Sequence, residues 1–496
     1  MFSTRSSASA RPTAHTAVLI AAIILTIAVH ALYISNKSIG LGQAYALDDA
    51  LITFRYSQNL AHGRGFVYNS NERVLGTTTP LYALLGSIPA YLGVDLVWYA
   101  AILNTVLDVV VVALLVHVFR GFFIAQVVGP LLFSLHPYVL YYASAGMEMS
   151  LLSLLVLATF SLFWEKHYSL AGVTAALAVM CRIDGILAVG ALGLVAILVQ
   201  RKLPIRFMVV FALSFSGWVL FAVTYFGNVV PQSALAKQIW RSGAHPLTVW
   251  VMPSAAILVI MAILGAAVVI LNPLQLANTR TRCWLLSIVA WWAMFSAFFM
   301  ISRVEIEDWY RVPQCLMVAV LAAWCAEVLL RYFKKTIDQR YSILTAGMIG
   351  ILLMTGAFTF REMITTFQDV IGLFQRGAPE PVFEIYRQTA LWLEENAQPG
   401  VTVLAGNIGF IGYYCNCRIL DDVGLVSPEI LPYVIKNKLN RSILITTFRP
   451  EFLAIEQREY VEMEQVLQSE GYELKAEFAS KTPFAMSPYR IYARTR

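Results

Sequence analysis

The recurrence of long apolar runs is what most restricts the folds open to this chain. An N-terminal segment with Arg5 and Arg11 and no acid leads into an apolar run over about residues 17–34. Others follow at 97–119, 122–141, 148–165, 168–182, 184–200, 207–226, 247–271, 283–301, 312–331 and 341–360. A run of about 20 apolar residues matches the hydrocarbon thickness of a bilayer. Only 13% of the 496 residues are charged, where a soluble domain carries roughly a quarter. The chain therefore reads as a polytopic α-helical membrane protein. Its first run is too long for a signal-peptide core and no clear small-residue cleavage site follows, so a retained first helix with a cytoplasmic N-terminus is expected. The net charge of +6 lies mainly in short Lys/Arg clusters between apolar runs, which set topology and do not point to nucleic acid.

The stretch 81–94 decides the parity of the spans. It is broken by Pro89 and Gly93 and reaches only about 21 Å as a helix. Taken as a surface or re-entrant helix, it leaves Arg120, Lys166, Arg201, Arg280 and Arg331 on the side of the N-terminus, as the positive-inside bias requires. Eleven spans result. The same choice gathers Asp48, Asp49, Glu148, Arg182, Asp184, the loop 227–246 and the segment 303–311 on the outer face. Residues 1–360 then form a transmembrane module with a first outer loop at about 37–96. Residues 361–496, rich in Glu and Lys, form an extracytoplasmic α/β domain. Its expected helices are 384–396 and 460–468, and its expected strands 401–404, 442–447 and 489–492.

Cys181, Cys283, Cys315 and Cys325 fall in or beside apolar helices and read as packing residues. Cys415 and Cys417 are one residue apart, too close for an easy disulfide with each other and unlike zinc spacing.

Chemistry concentrates in the first outer loop. Asp48 and Asp49 open a short predicted helix that Gly63 stops. A carboxylate there can serve as general base for an acceptor hydroxyl; the plainer alternative is that the pair caps the helix and solvates the loop. Arg55, Tyr56, Asn59 and His62, with the run Thr77-Thr78-Thr79, supply groups suited to a sugar or a phosphate. Glu148 is either a site residue or an acid favoured by the dipole of the helix it begins. Arg182 and Asp184 form a mutual salt bridge or meet an anionic headgroup. Lys237 stands in the loop after the seventh span. Tyr310 and Arg311 open the tenth, where Arg311 is either a phosphate ligand or an interfacial anchor. There is no Walker loop, dinucleotide glycine pattern or His/Cys metal cluster. With the reactive groups facing outward, the donor is expected to arrive with the membrane, as a lipid phosphate.

The run from Asp48-Asp49 through Thr53, Arg55 and Tyr56, followed by Asn59, Gly63, Gly65 and Val67-Tyr68-Asn69, resembles the GT-C superfamily of polyprenyl-phosphate-sugar glycosyltransferases. The likeness is greatest to its bacterial terminal arabinofuranosyltransferase-like branch. Gly146-Met147-Glu148, Arg182-Ile183-Asp184-Gly185, Tyr310-Arg311-Val312-Pro313 and the tail segments Gly406–Tyr414 and Asp421–Leu425 extend the match over most of the chain. The resemblance implies juxtamembrane helices in the first outer loop, a bacterial inner-membrane location, and an inverting transfer to a cell-envelope glycan, lipid or protein acceptor. It makes an acid of the pair the base and Arg311 a candidate ligand of the lipid phosphate; Asp48 is narrowly preferred over Asp49 as that base, and Lys237 or Arg182 are expected as partners of Arg311. A divalent cation (Mg, Mn or Ca) at Asp48 or Asp49 is compatible with hard oxygen ligands, although no cofactor is demanded by the spacing. Two alternatives stay open: a lipid-linked-sugar transporter or flippase, and a non-catalytic cell-envelope assembly protein.

Overall fold

The first apolar run becomes α1 (Arg11–Leu41). The computed structural model describes residues 11–41, 46–240, 256–271, 278–302, 307–337, 381–433, 440–479 and 488–495. Two short helices follow α1, α2 (Asp48–Ala61) and α3 (Pro80–Tyr91). Helix α3 has 12 residues, about 18 Å of rise against roughly 30 Å of hydrocarbon. Its Tyr82 and Ala83 are buried, while Leu84, Ile88 and Tyr91 remain exposed on one face, the pattern of a helix lying along an apolar interface.

The membrane module continues with α4 (Leu96–Val118), α5 (Phe123–Ser134), α6 (Pro137–Ser144), α7 (Met149–Trp164), α8 (Tyr168–Cys181), α9 (Gly185–Gln200) and α10 (Ile205–Phe226). Next come α11 (Gln232–Trp240), α12 (Ala256–Leu271), α13 (Thr279–Ser302), a single 3-10 turn at Asp308–Tyr310, and α14 (Arg311–Ile337). The expected span 122–141 is instead two helices, α5 and α6, bent by 50°. Pro137 opens α6 and cannot donate a backbone hydrogen bond into a helix arriving from α5. Helix α14 is the hub, with 89% of its apolar window buried, as expected of a helix that is apolar all round.

Eleven full spans are not what the described residues contain. Five helices are long and apolar enough to cross a membrane, or six if α5 and α6 count as one broken span. Helices α7, α8 and α9 have only 16, 14 and 16 residues, about 21–24 Å, with Glu148 just before α7 and Arg182 and Asp184 in the turn between α8 and α9. The expected span 341–360 lies outside the described residues, as do positions 247–255 of another.

The C-terminal domain contains α15 (Pro381–Asn396), β1 (Thr402–Ala405), α16 (Ile408–Tyr414), β2 (Arg418–Asp421), α17 (Arg441–Phe448), β3 (Phe452–Glu456), α18 (Gln457–Ser469), β4 (Tyr472–Phe478) and β5 (Tyr489–Arg494). The strand order is β2-β1-β3-β5-β4, parallel at β2/β1 and β1/β3 and antiparallel at the other two pairings. The expected strand 442–447 is helix α17. Asn440 accepts the Ser442 N–H at 3.0 Å, an N-cap that overrides the β-branched composition. Cys415 and Cys417 form a disulfide, contrary to expectation. Cys415 leaves α16 with extended backbone, so residues two apart point the same way, and their Cα atoms lie 5.2 Å apart, within the normal range.

This domain sits directly on α2. Arg55 donates to the carbonyls of Tyr68 (2.7 Å), Cys415 (3.0 Å), Cys417 (2.6 Å) and Gly412. Asn69 pairs with both the N–H and the carbonyl of Ile419, each at 2.9 Å. A Cβ on Gly409 would collide with the backbone of Asp48 and one on Gly412 with the Tyr68 hydroxyl. Two glycines of the tail motif are thus what permit α16 to touch the first loop.

Candidate functional site

Helix α2 makes one turn in 3.6 residues, so adjacent side chains diverge by about 100°. Asp49, Ile52 and Thr53 consequently share one face, and they line a cavity of about 510 Å³ in the membrane module. Asp48, Arg55, Asn59 and His62 fall on another face. Leu47, not an aspartate, holds the N-cap position, and no side chain caps α2. Instead Asp48 Oδ1 accepts the Phe410 N–H of α16 at 2.9 Å. Burial pushes Asp48 up to about 7; the Phe410 amide pulls the other way, and the Asp49 carboxylate adds to the rise. Asp49 Oδ2 lies 3.1 Å from Lys237 Nζ, which also stands 5.2 Å from the Trp309 ring centroid.

The far wall of the cavity is ionic. Arg182 pairs with Glu148 Oε1 and, through Nε at 2.9 Å, with Asp184 Oδ1, and its guanidinium lies 4.5 Å over the Tyr310 ring. A cation neutralised by two buried carboxylates is poorly placed to take a phosphate. Glu148, expected as a substrate residue, is likewise turned to Arg182. A second wall is a buried hydroxyl cluster, with Thr53 3.0 Å from Thr79 and Thr77 3.0 Å from Thr79. At the mouth, Ile183, Ile186 and Phe298 line the cavity while keeping 43%, 44% and 44% of their surface exposed.

A second cavity, of about 430 Å³, lies on the other side of the aspartate pair, between the membrane module and the C-terminal domain. Asp49, Lys237, Glu307, Trp309 and Leu425 line both cavities. Asp48 lines only the second.

Of the residues singled out from sequence, Asp49, Glu148, Arg182, Asp184, Lys237 and Tyr310 converge on the first cavity. Four first-loop residues do not line either one. Arg55 is spent on the C-terminal domain; the Tyr56 hydroxyl donates to the Val74 carbonyl at 2.7 Å; Asn59 donates to the carbonyls of Val67 and Tyr68; and His62 is exposed, bonded to the Gln58 carbonyl. Arg311 does not line the cavities either, its Nε engaging Asp308 at 2.9 Å. The 3-10 turn aims Tyr310 inward and leaves Arg311 behind it. Arg303 lies outside the described residues. Among the described residues no group of three or more His, Cys, Asp or Glu is placed to hold a metal ion. Thr53, Trp309, Asp422 and Arg441 were not picked out from sequence as site residues. Thr53 and Asp422 stood within motifs of the resemblance and Trp309 within the outer segment 303–311, whereas Arg441 offered no signal.

A family described as a domain of unknown function (DUF8728) matches residues 380–492. No curated protein matches the chain. The arabinofuranosyltransferase AftD from Mycobacteria superposes over 95% of this chain and 41% of its own, with TM-score 0.51 and 16% identity. ArnT from Cupriavidus metallidurans, in the apo state, superposes over 95% of this chain and 97% of its own, with TM-score 0.56 and 11% identity. The chain shares its fold with these two proteins. This is a multi-pass membrane protein with that fold, and it spans less than half the length of AftD.

Proposed function

We propose that this chain is an inverting glycosyltransferase on the outer face of a bacterial inner membrane, moving a sugar from a polyprenyl-phosphate donor to a hydroxyl of a cell-envelope glycan, lipid or protein. One observation carries the reading. The Asp49–Lys237 pair stands where an apolar-mouthed cavity in the membrane module meets a polar cavity roofed by the C-terminal domain. A lipid-linked donor needs the first and a polar acceptor needs the second; the reacting atoms must lie where they join.

Sequence alone favours Asp48 as the base, while the geometry favours Asp49, whose carboxylate lines both cavities. In the proposed step the acceptor oxygen attacks the anomeric carbon, its proton passes to Asp49, and the bond from that carbon to the phosphate oxygen breaks. Lys237 holds the charge that develops on the departing lipid phosphate. An incoming donor phosphate competes with Asp49 for Lys237, so donor binding would free the carboxylate for its task. Asp48, tied to the Phe410 amide, keeps the C-terminal domain registered on the reacting centre.

The test is a donor screen with the full chain in lipid nanodiscs, offering polyprenyl-phosphate sugars with a panel of glycan, lipid and peptide acceptors and reading transferred mass and anomeric configuration. Transfer with inversion is expected. Translocation of the donor across vesicles without any new glycosidic bond would overturn the reading in favour of a flippase.

A further inference from the structure

We propose that Gln232 is the positioning residue through which the C-terminal domain holds Lys237 in place for the donor phosphate. The inference rests on the reading of Lys237 as a phosphate ligand, and adds that its grip depends on the turn at residues 421–426.

Lys237 rides on α11, and Gln232 is the first residue of that helix. Gln232 fastens this end twice. Its backbone N–H donates to the Leu75 carbonyl of the first outer loop at 2.7 Å, a bond open to any residue but proline. Its Nε2 donates to the Gly424 carbonyl of the C-terminal domain at 3.3 Å, which needs a long side chain ending in a donor. The carbonyl it meets is fixed. The Asp421 carboxylate accepts the Val423 N–H at 3.0 Å and the Val426 N–H at 2.9 Å, on either side of Gly424, and Gly424 takes a φ of 81° that favours glycine. The two anchoring loops also touch each other, since a Cβ on Gly76 would lie 2.6 Å from Val426 Cγ1 and 3.0 Å from the Leu425 carbonyl oxygen.

A short helix moves as a unit, so the anchor at Gln232 sets where Lys237 falls, about 7.5 Å further along the axis. The contacts of Lys237 itself, to Asp49 Oδ2 at 3.1 Å and to the Trp309 ring at 5.2 Å, are the ones an entering phosphate must displace or share. The bond to Gly424 stands outside that competition and persists when Asp49 lets go. Gln232 therefore keeps the ammonium at the junction of the two cavities while its carboxylate partner is being freed. Val423 and Leu425, the residues flanking Gly424, line the polar cavity, which places this anchor directly behind the wall that an acceptor meets.

The experiment measures the affinity of the full chain in nanodiscs for radiolabelled farnesyl phosphate, with empty nanodiscs as background, so that it does not depend on turnover. Gln232→Met keeps the backbone bond to Leu75 and the side-chain length but removes the donor. It should weaken binding about three- to tenfold and leave the melting profile unchanged. Gln232→Glu, which turns an acceptor toward the Gly424 carbonyl, should weaken it at least as much and serves if Gln232→Met fails to fold. In a Lys237→Gln background either change should alter affinity by no more than about twofold, because the residue it positions is gone. Unchanged affinity in a folded Gln232→Met or Gln232→Glu, or the same loss with Lys237 already replaced, overturns the inference. A Lys237→Gln protein that binds weakly beside a Gln232→Met protein that binds normally sinks the anchor alone and leaves the phosphate site. Unchanged binding in Lys237→Gln, or none in the wild type, removes the phosphate site and the anchor with it.

Discussion

Replacing Asp49 by Asn separates chemistry from folding. The substitution keeps the size of the side chain and removes its charge and basicity. A positioned general base is worth about 10²–10⁴ in rate, or about 3–5 kcal/mol of barrier. The structural loss is smaller. The Asp49 and Lys237 side chains keep 30% and 22% of their surface exposed, so their ion pair is screened and contributes ~1 kcal/mol or less. Turnover of a lipid-linked donor should therefore fall at least about a hundredfold while thermal stability barely moves. Asp48→Asn is the comparison. With Asp48 pushed up to about 7, its charge appears as pH rises through that value and adds to the negative field that favours positive charge developing at the anomeric carbon. Wild-type kcat/KM should climb across neutral pH, and Asp48→Asn should lose that step while retaining measurable turnover. Steady-state kinetics across pH, beside thermal unfolding of each variant, give the answer. An Asp49→Asn enzyme within about tenfold of wild type, or a loss that tracks lowered stability, refutes the assignment of the base.

Lys237→Gln should raise KM for the donor at least about tenfold, since it removes a charge-assisted contact to phosphate; an unchanged donor KM would remove Lys237 from the phosphate site. Arg182→Gln should instead damage folding by about 3–5 kcal/mol, because Glu148 and Asp184 lose the cation between them, and size-exclusion and melting profiles report it. Gly409→Val should push α16 off α2 and lower both stability and transfer without touching a reacting group; a wild-type melting profile would refute the close-approach argument. Asp48 and Asp421 are both pushed up to about 7, each chiefly by burial, against an ordinary value near 3.8. The folded state then binds protons that the unfolded state has released, so their contribution is fully present below about 4 and is lost as pH rises through about 7. The unfolding temperature should fall between pH 5 and pH 8, and a rise over that window contradicts it.

Hydropathy made the membrane helices legible, and treating 81–94 as a surface helix brought Asp49, Glu148, Arg182, Asp184, Lys237 and Tyr310 to one cavity. Periodicity could not separate a strand from a capped helix at 442–447, where β-branched residues pointed one way and Asn440 the other. Nor could it tell which polar residues of the first loop face a ligand. Arg55, Tyr56 and Asn59 look like substrate contacts in sequence because they are polar and close to the aspartates. They donate to backbone carbonyls, of the first loop and of α16 with its following loop for Arg55 and of the first loop alone for Tyr56 and Asn59, which one-dimensional spacing cannot reveal. Arg311 shows the same limit, since one 3-10 turn decides whether residue 310 or 311 points inward.

The angular step of a helix explains how neighbouring aspartates come to have different surroundings. A turn of about 100° per residue sends Asp48 toward Phe410 and the roofing domain, while Asp49 stays with Ile52 and Thr53 over the membrane cavity. The dipeptide therefore spans the boundary between two compartments without any special backbone geometry. Gly409 makes the arrangement tight, because a larger residue there would lift α16 from Asp48. A domain fastened at this point through Arg55, Asn69 and the Phe410 amide shapes the polar cavity and sets the environment of Asp48 together. Variation in the domain's own wall, at Asp422, Arg441 and Tyr489, should then change which acceptor is taken while leaving the donor chemistry at Asp49 and Lys237 intact.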